Sequence, residues 1–299
     1  MAFSDSNRPF ASAVSMLSAM FIIGLIDNFI AKFTGRISVW QFIMMRSVLM
    51  VPLLLALPLL GLGTLWPKRW GAVTARSGAL TGAMVLYFGA LGFMPLAEAL
   101  AGLFTSPIFV VLINGLVMKQ RIGPWRILAV VIGFVGVLLV LQPGVQGVSM
   151  LSIMPVGAGF LYAVSSIATR SWCAGESTVA LLASNMMMLG IVGAVGLVIL
   201  YIIPVGPEVD FLTRPFVWPV WDVAPWIVLQ AVGSLAGVFL IIRAYQLDVP
   251  TNVAVFEYSV MIFGPAFAWM LFGQTLELMQ ILGIFMIAAA GATIALRSA

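Results

Sequence analysis

The sequence predicts an all-α membrane protein with ten transmembrane helices, arranged as two inverted five-helix repeats. Three observations carry that prediction. The chain of 299 residues is 63% hydrophobic and only 8% charged, with a mean hydropathy of +1.16. A soluble domain carries about 25% charged residues, so these few charges are too sparse to cover a water-facing surface. Apolar runs of membrane-crossing length follow one another along the whole chain, and the two halves share a residue pattern at a constant offset.

A bilayer core of about 30 Å needs roughly 20 apolar residues per helix. The runs that meet this are 11–33, 38–60, 77–94, 97–117, 125–142, 150–171, 178–203, 223–246, 250–272 and 278–296. The first follows Asp5 and Arg8, and no small-residue cleavage site closes it, so it reads as a spanning helix and not a removed leader. W-P-K-R-W (66–70), K-Q-R-I-G-P (119–124) and Q-P-G (142–144) separate later runs by combining polarity with helix breakers. The third and fourth runs meet in a tight turn at Pro95, the eighth and ninth at Pro250. The stretch 204–215, with Glu208 and Asp210, is the longest polar connection.

At an offset of 155 residues, Gly78, Leu80 and Gly82 fall on Gly233, Leu235 and Gly237. Pro95 then falls on Pro250, Ala99 on Ala254, Gly136 on Gly291 and Leu141 on Leu296. One apolar helix resembles another by chance, but a register kept through two turns points to duplication. The expected units are residues 1–145 and 146–299. Each holds an odd number of spans, so the second enters the membrane upside down, an arrangement that places a binding site at the repeat interface near the midplane. With both termini cytoplasmic, Arg8, Lys68, Arg69, Arg76, Lys119, Arg121, Arg126, Arg170, Arg243 and Arg297 lie inside. Only Lys32, Arg36 and Arg214 lie outside, and Arg46 lies within the second run. This bias fits the positive-inside rule for a bacterial inner membrane.

Composition also excludes several chemistries. The chain has no histidine, and one cysteine, Cys173, rules out an intramolecular disulfide framework. Its 14 basic residues form no patch for nucleic acid. No metalloprotease, nucleophile-elbow or phosphate-loop motif is present. The expectation is a non-enzyme without cofactor or metal, whose partners are a small-molecule substrate, the lipid bilayer and protons as a coupling ion.

The candidate site residues are the polar groups inside apolar runs. Asp27 and Asn28 share a face with Gly24 and Ala31. An acid within a span costs about 2.5–3.5 kcal/mol on insertion scales, so it faces a cavity or a partner. Asp27 is therefore either a substrate-binding or proton-carrying carboxylate, or an acid paired with Lys32 or Arg46. Glu257, about two turns into the ninth run, has the same two readings, with Arg243 as the alternative partner. Tyr162, Ser165, Ser166 and Thr169 form a helical stripe, as do Gln230, Ser234 and Gly237. Such hydroxyls bind a polar substrate or bond a neighbouring helix. Tyr87 and Tyr258 are candidate aromatic contacts. Thr105 and Ser106 precede Pro107 and read as structural, satisfying carbonyls freed by the kink.

P-L-A-E-A-L-A-G-L-F-T-S-P-I-F-V-V-L (95–112), I-L-A-V-V-I-G-F-V-G-V-L-L-V-L-Q-P-G (127–144) and I-L-G-I-F-M-I-A-A-A-G-A-T-I-A-L (281–296) resemble segments of the drug/metabolite transporter superfamily, in its EamA-domain branch. Within that branch the chain looks most like YddG-type exporters of aromatic amino acids. The resemblance implies a central cavity built by the first, third, fourth, sixth, eighth and ninth helices, and export of a small metabolite, an amino acid above all, by alternating access. Nucleobases, sugars or cationic drugs are the rival cargoes, and a non-transporting scaffold or receptor is the rival class.

Overall fold

The computed structural model describes residues 7–91, 94, 96–142, 153–203 and 210–297, with 96–98 as backbone alone. Asp5, Pro95, Pro143, Gly144, Glu208 and the side chain of Glu98 lie outside the described residues.

Helices fill every one of the apolar runs. α1 (Pro9–Asp27) continues past a turn as the short α2 (Ala31–Thr34). α3 (Val39–Leu59) and α4 (Trp70–Ala90) follow. The next run is broken into α5 (Leu96–Leu103), α6 (Ser106–Leu112) and a π turn (Ile113–Val117). α7 (Pro124–Leu141), α8 (Ile153–Arg170), α9 (Thr178–Ile202) and α10 (Ala224–Leu247) are continuous. α11 (Pro250–Glu257) and α12 (Val260–Phe272) share one run, and α13 (Leu278–Arg297) ends the chain.

Among the described residues, eight of these spans are long and apolar enough to cross a membrane on their own. α4 and α8 are the two exceptions: both are helical, but their described residues fall short of that test. The physical reason is their position. α4 and α8 pack along each other and bury Arg76, Ser77 and Thr81 on one, Ser165, Ser166 and Thr169 on the other. Their neighbours meet lipid instead: Val48, Val51 and Leu55 on α3, and Ile191, Val195 and Val198 on α9, are exposed stripes. A helix that turns a polar stripe onto protein needs a narrower apolar face.

Packing follows a paired pattern. α1 lies along α10 and along α11 and α12, as α8 lies along α4 and along α5 and α6. α3 touches α10 as α9 touches α4, while α3 pairs with α9 and α7 with α13. The α7–α13 pair approaches backbone to backbone. A Cβ on Gly136 would sit 2.7 Å from the Gly283 carbonyl oxygen, and one on Gly283 2.5 Å from that of Gly136. Without a strong hydrophobic drive between helices in lipid, such small-residue seams supply contact.

The helix breaks are locally satisfied. At the α5–α6 break Thr105 Oγ1 donates to the Gly102 carbonyl (2.6 Å), and at the α11–α12 break Ser259 Oγ donates to that of Phe256 (2.6 Å). At the α1–α2 turn Asn28 Nδ2 donates to the Gly24 carbonyl (2.7 Å) and to Gly264 on α12 (3.1 Å). Unpaired backbone at membrane depth is costly, so each break carries its own donor.

Candidate functional site

Arg8 N donates to the Leu247 carbonyl and Arg297 stacks over Trp125, so both chain ends lie on one face of the bundle, here the terminal face. At 1.5 Å per residue, Glu257 lies roughly 10 Å in from that face. Asp27 lies roughly 10 Å in from the opposite, far face, where α2 ends. Two polar clusters form around these acids.

The far cluster is open. Asp27 is exposed although it lies among packed helices, and its carboxylate has no hydrogen bond or ion pair among the described residues. Arg46 on α3 and Tyr87 on α4 are its electrostatic neighbours. Arg46 holds its guanidinium 5.0 Å above the Phe42 ring and makes one long hydrogen bond, Nη1 to Ser234 Oγ at 3.4 Å. Its Nε is buried without a partner. α10 joins the two acid-bearing and base-bearing helices: Gln230 Nε2 donates to the Ile26 carbonyl (2.7 Å), and one turn on Ser234 meets Arg46. Lys32 lies over the Phe272 ring, 5.7 Å from its centroid, and forms no pair with Asp27.

The inner cluster is closed. Glu257 is 3% exposed, and its Oε1 accepts from Tyr245 OH (2.7 Å) and Tyr162 OH (3.1 Å). Ser166 lies against the Tyr245 hydroxyl. Arg243 forms no pair with Glu257; it lines a cleft on the terminal face. Beside this cluster Arg76, 3% exposed, donates from Nε to Thr169 Oγ1 (3.0 Å) and from Nη1 to the Leu181 carbonyl (3.4 Å). Thr169 in turn donates to the Ser165 carbonyl (2.9 Å).

A polar lattice seals the terminal face below Glu257. Glu176 accepts from the backbone N–H of Lys68 (2.9 Å) and of Arg69 (2.7 Å). Ser177 Oγ accepts from Thr64 N (3.0 Å), Thr178 Oγ1 donates to Gln246 Oε1 (2.6 Å), and Gln246 Nε2 donates to the Glu176 carbonyl (2.9 Å). Arg170 bonds the Gln246 carbonyl and Asn7. Loops between α3 and α4 and between α8 and α9 are thereby tied to the end of α10 and to the N-terminal segment. A cleft of about 440 Å³ remains in this lattice.

The candidate residues thus fall into three settings. Asp27 and Tyr87 belong to the open cluster, and Glu257, Tyr162 and Ser166 to the closed one. Asn28 and Gln230 have amide donors engaged with backbone carbonyls of packed helices. Tyr258 is fully buried against Gly133 of α7, where a Cβ would come 2.5 Å from its ring, and its hydroxyl is unpartnered. Reading the sequence missed Tyr245 and Arg76. The stripe Gln230, Ser234, Gly237 continues through Ile241 to Tyr245 at helical spacing, so extending it by two turns reaches the residue. Arg76 looked like a loop cation because the third run was begun at 77; α4 begins at Trp70 and carries it inside.

This fold, with polar clusters inside an apolar bundle, is that of a multi-pass membrane protein. Residues 11–142 match the EamA-like transporter family. The chain is 24% identical to a riboflavin transporter of Brucella anthropi over 79% of its length and 78% of the relative's. It is 27% identical to an uncharacterized transporter of Helicobacter pylori over 72% and 70%. It is 25% identical to the pseudopaline exporter CntI of Pseudomonas aeruginosa over 69% and 68%. A solved structure, titled only as a crystal structure of protein, superposes with TM-score 0.80 at 16% identity, covering 96% of this chain and 98% of its own. Residues 11–142 are thus similar to the EamA-like transporter family, and the relatives quoted are named transporters or exporters. The finer likeness to YddG-type amino-acid exporters has no counterpart among the relatives quoted.

Proposed function

We propose that the protein exports small amphipathic metabolites, amino acids or close relatives of them, across a bacterial inner membrane by alternating access. Residues 1–145 and 146–299 would be inverted repeats, with both termini cytoplasmic. The paired packing supports this: exchanging each span for the one five places on reproduces the contacts of α1 with α10, α11 and α12 as those of α8 with α4, α5 and α6. The matched hydroxyl bonds at the α5–α6 and α11–α12 breaks support it too.

One observation carries the mechanism. Asp27 is open and unpaired, while Glu257 is sealed off by a polar lattice on the terminal face. Two acids at mirrored depths with opposite accessibility are what a carrier resting in one of its two states would present. In this reading Asp27, with Tyr87, meets cargo from the far side. Glu257, Tyr162 and Ser166 meet it after the terminal face opens, and Glu257 carries the coupling proton. Asn28, Gln230 and Tyr258 shape the walls of the path.

Uptake into proteoliposomes, with a panel of labelled amino acids and riboflavin, tests the reading. Saturable amino-acid flux driven by a proton gradient is expected. Absence of saturable flux for every solute would overturn the carrier reading in favour of a scaffold or receptor. A second reading, a flavin as cargo, is favoured by relatives named riboflavin transporters in three genera. Flux of riboflavin alone would decide for it.

A further inference from the structure

We propose that Arg46 and Asp27 form a two-point clamp for a zwitterion, with Arg46 taking the carboxylate of the cargo and Asp27 its ammonium group. The inference deepens the carrier reading and rests on it. Arg46 was no part of the candidate set; its position singles it out.

A guanidinium within a span is expensive unless its donors are met. Arg46 has five N–H donors in a rigid fork, yet among the described residues its one hydrogen bond is the 3.4 Å contact with Ser234. Its Nε is buried with no partner. The Phe42 ring supports the group by cation–π contact at 5.0 Å. A planar fork with donors left open suits bidentate capture of a carboxylate. Asp27 is the complementary half: an exposed carboxylate without a protein partner, acting on Arg46 across the same space without touching it. Had the two served only each other, a direct ion pair would be the favourable arrangement in low dielectric. α10 holds them apart instead, through Gln230 on Ile26 and Ser234 on Arg46. Opposite charges that act on each other but form no ion pair suit a ligand with the reverse pair of charges. Tyr87, on the same space, offers a ring beside them.

The test uses detergent-purified full-length protein and three probes: phenylalanine, phenylalaninamide, which lacks the carboxylate, and N-acetylphenylalanine, which lacks the ammonium. Thermal-shift titration is expected to show the zwitterion binding more tightly than either blocked form. R46Q should weaken phenylalanine and N-acetylphenylalanine roughly tenfold or more, the loss of one charge-assisted hydrogen bond, and leave phenylalaninamide unchanged. D27N should show the converse. R46K keeps the cation but loses the fork; it serves as the second variant if R46Q does not fold, and should weaken the carboxylate probes as well. Equal affinity of wild type for all three probes, no binding of any, or R46Q and R46K binding phenylalanine like wild type would each overturn the clamp. The carrier reading fails separately, when no solute in the proteoliposome panel shows saturable flux.

Discussion

Glu176→Gln offers the most direct trial of the terminal-face seal. The Glu176 carboxylate accepts two backbone N–H groups, those of Lys68 at 2.9 Å and Arg69 at 2.7 Å. The amide keeps one acceptor oxygen and turns an NH₂ group toward the other N–H donor. A hydrogen bond to a charged group contributes about 1.5–3 kcal/mol, a neutral one about 1. One bond is lost and the other weakened, so the closed state loses about 2–5 kcal/mol relative to the open one. The 3.9 Å approach of Arg69 Nε adds nothing to this sum, because the arginine side chain is 53% exposed and screened by water. A loss of that size shifts the closed-to-open ratio roughly 30- to 4000-fold. The reporter is already present. Cys173, the single cysteine, is fully buried in the α8–α9 connection. In native membranes its maleimide labelling should accelerate in E176Q toward the rate of a free thiol. Labelling as slow as in wild type, with an unchanged melting temperature, would refute the idea that this lattice holds the face shut.

Three further outcomes are expected. Burial raises the Cys173 thiol to about 11, against the acidic pull of Arg76, so thiolate is scarce at pH 7 and labelling of the closed wild type should rise about tenfold per pH unit up to that value; a rate flat with pH would show labelling limited by opening. Tyr245→Phe removes the shorter of the two bonds to Glu257, 2.7 Å against 3.1 Å for Tyr162. It should cost about 1–3 kcal/mol and more than Tyr162→Phe, read as the order of melting temperatures in detergent. Gly283→Leu places a branched side chain where even a Cβ meets the Gly136 carbonyl oxygen at 2.5 Å. We predict that α7 and α13 separate and that fluorescence-detected size exclusion finds little folded protein; a normal monodisperse peak would show that the seam tolerates bulk.

The spans were legible because lipid imposes one rule on every helix that meets it: a run of apolar residues long enough to cross. α3, α9 and α13 obey that rule and their run boundaries fall within a few residues of the observed ends. α4 and α8 escape it because each buries a polar stripe against the other, so hydropathy says least about these two helices. The start of α4 was set at 77 by the same logic: Trp70–Arg76 is too polar to look like a span, yet it is helical and its last residue is buried. Asp27 and Glu257 were visible as lone acids in apolar runs. Their different settings were not, because a spacing along one helix says nothing about which hydroxyls arrive from another. Tyr162 comes from α8 and Tyr245 from α10, and only packing brings both to Glu257.

The breaks in the helices bear on how such a bundle moves. A continuous helix moves as a rod, but α5–α6 and α11–α12 each have a turn whose freed carbonyl is already bonded by a side chain of the same segment, Thr105 or Ser259. The bond is local, so bending at the break does not require a partner on another helix to be given up. Glu257 is the last residue of α11, directly before one of these breaks. Motion of α11 against α12 would therefore carry the acid away from Tyr162 and Tyr245 while the break itself stays satisfied. The α1–α2 turn differs. Asn28 bonds Gly264 on α12 as well as Gly24 on its own helix, so that turn is tied across the bundle. Asp27 precedes this turn, whose Asn28 is bonded to α12, while Glu257 ends α11. A rocking motion about the α11–α12 break would then alternate the surroundings of the two acids.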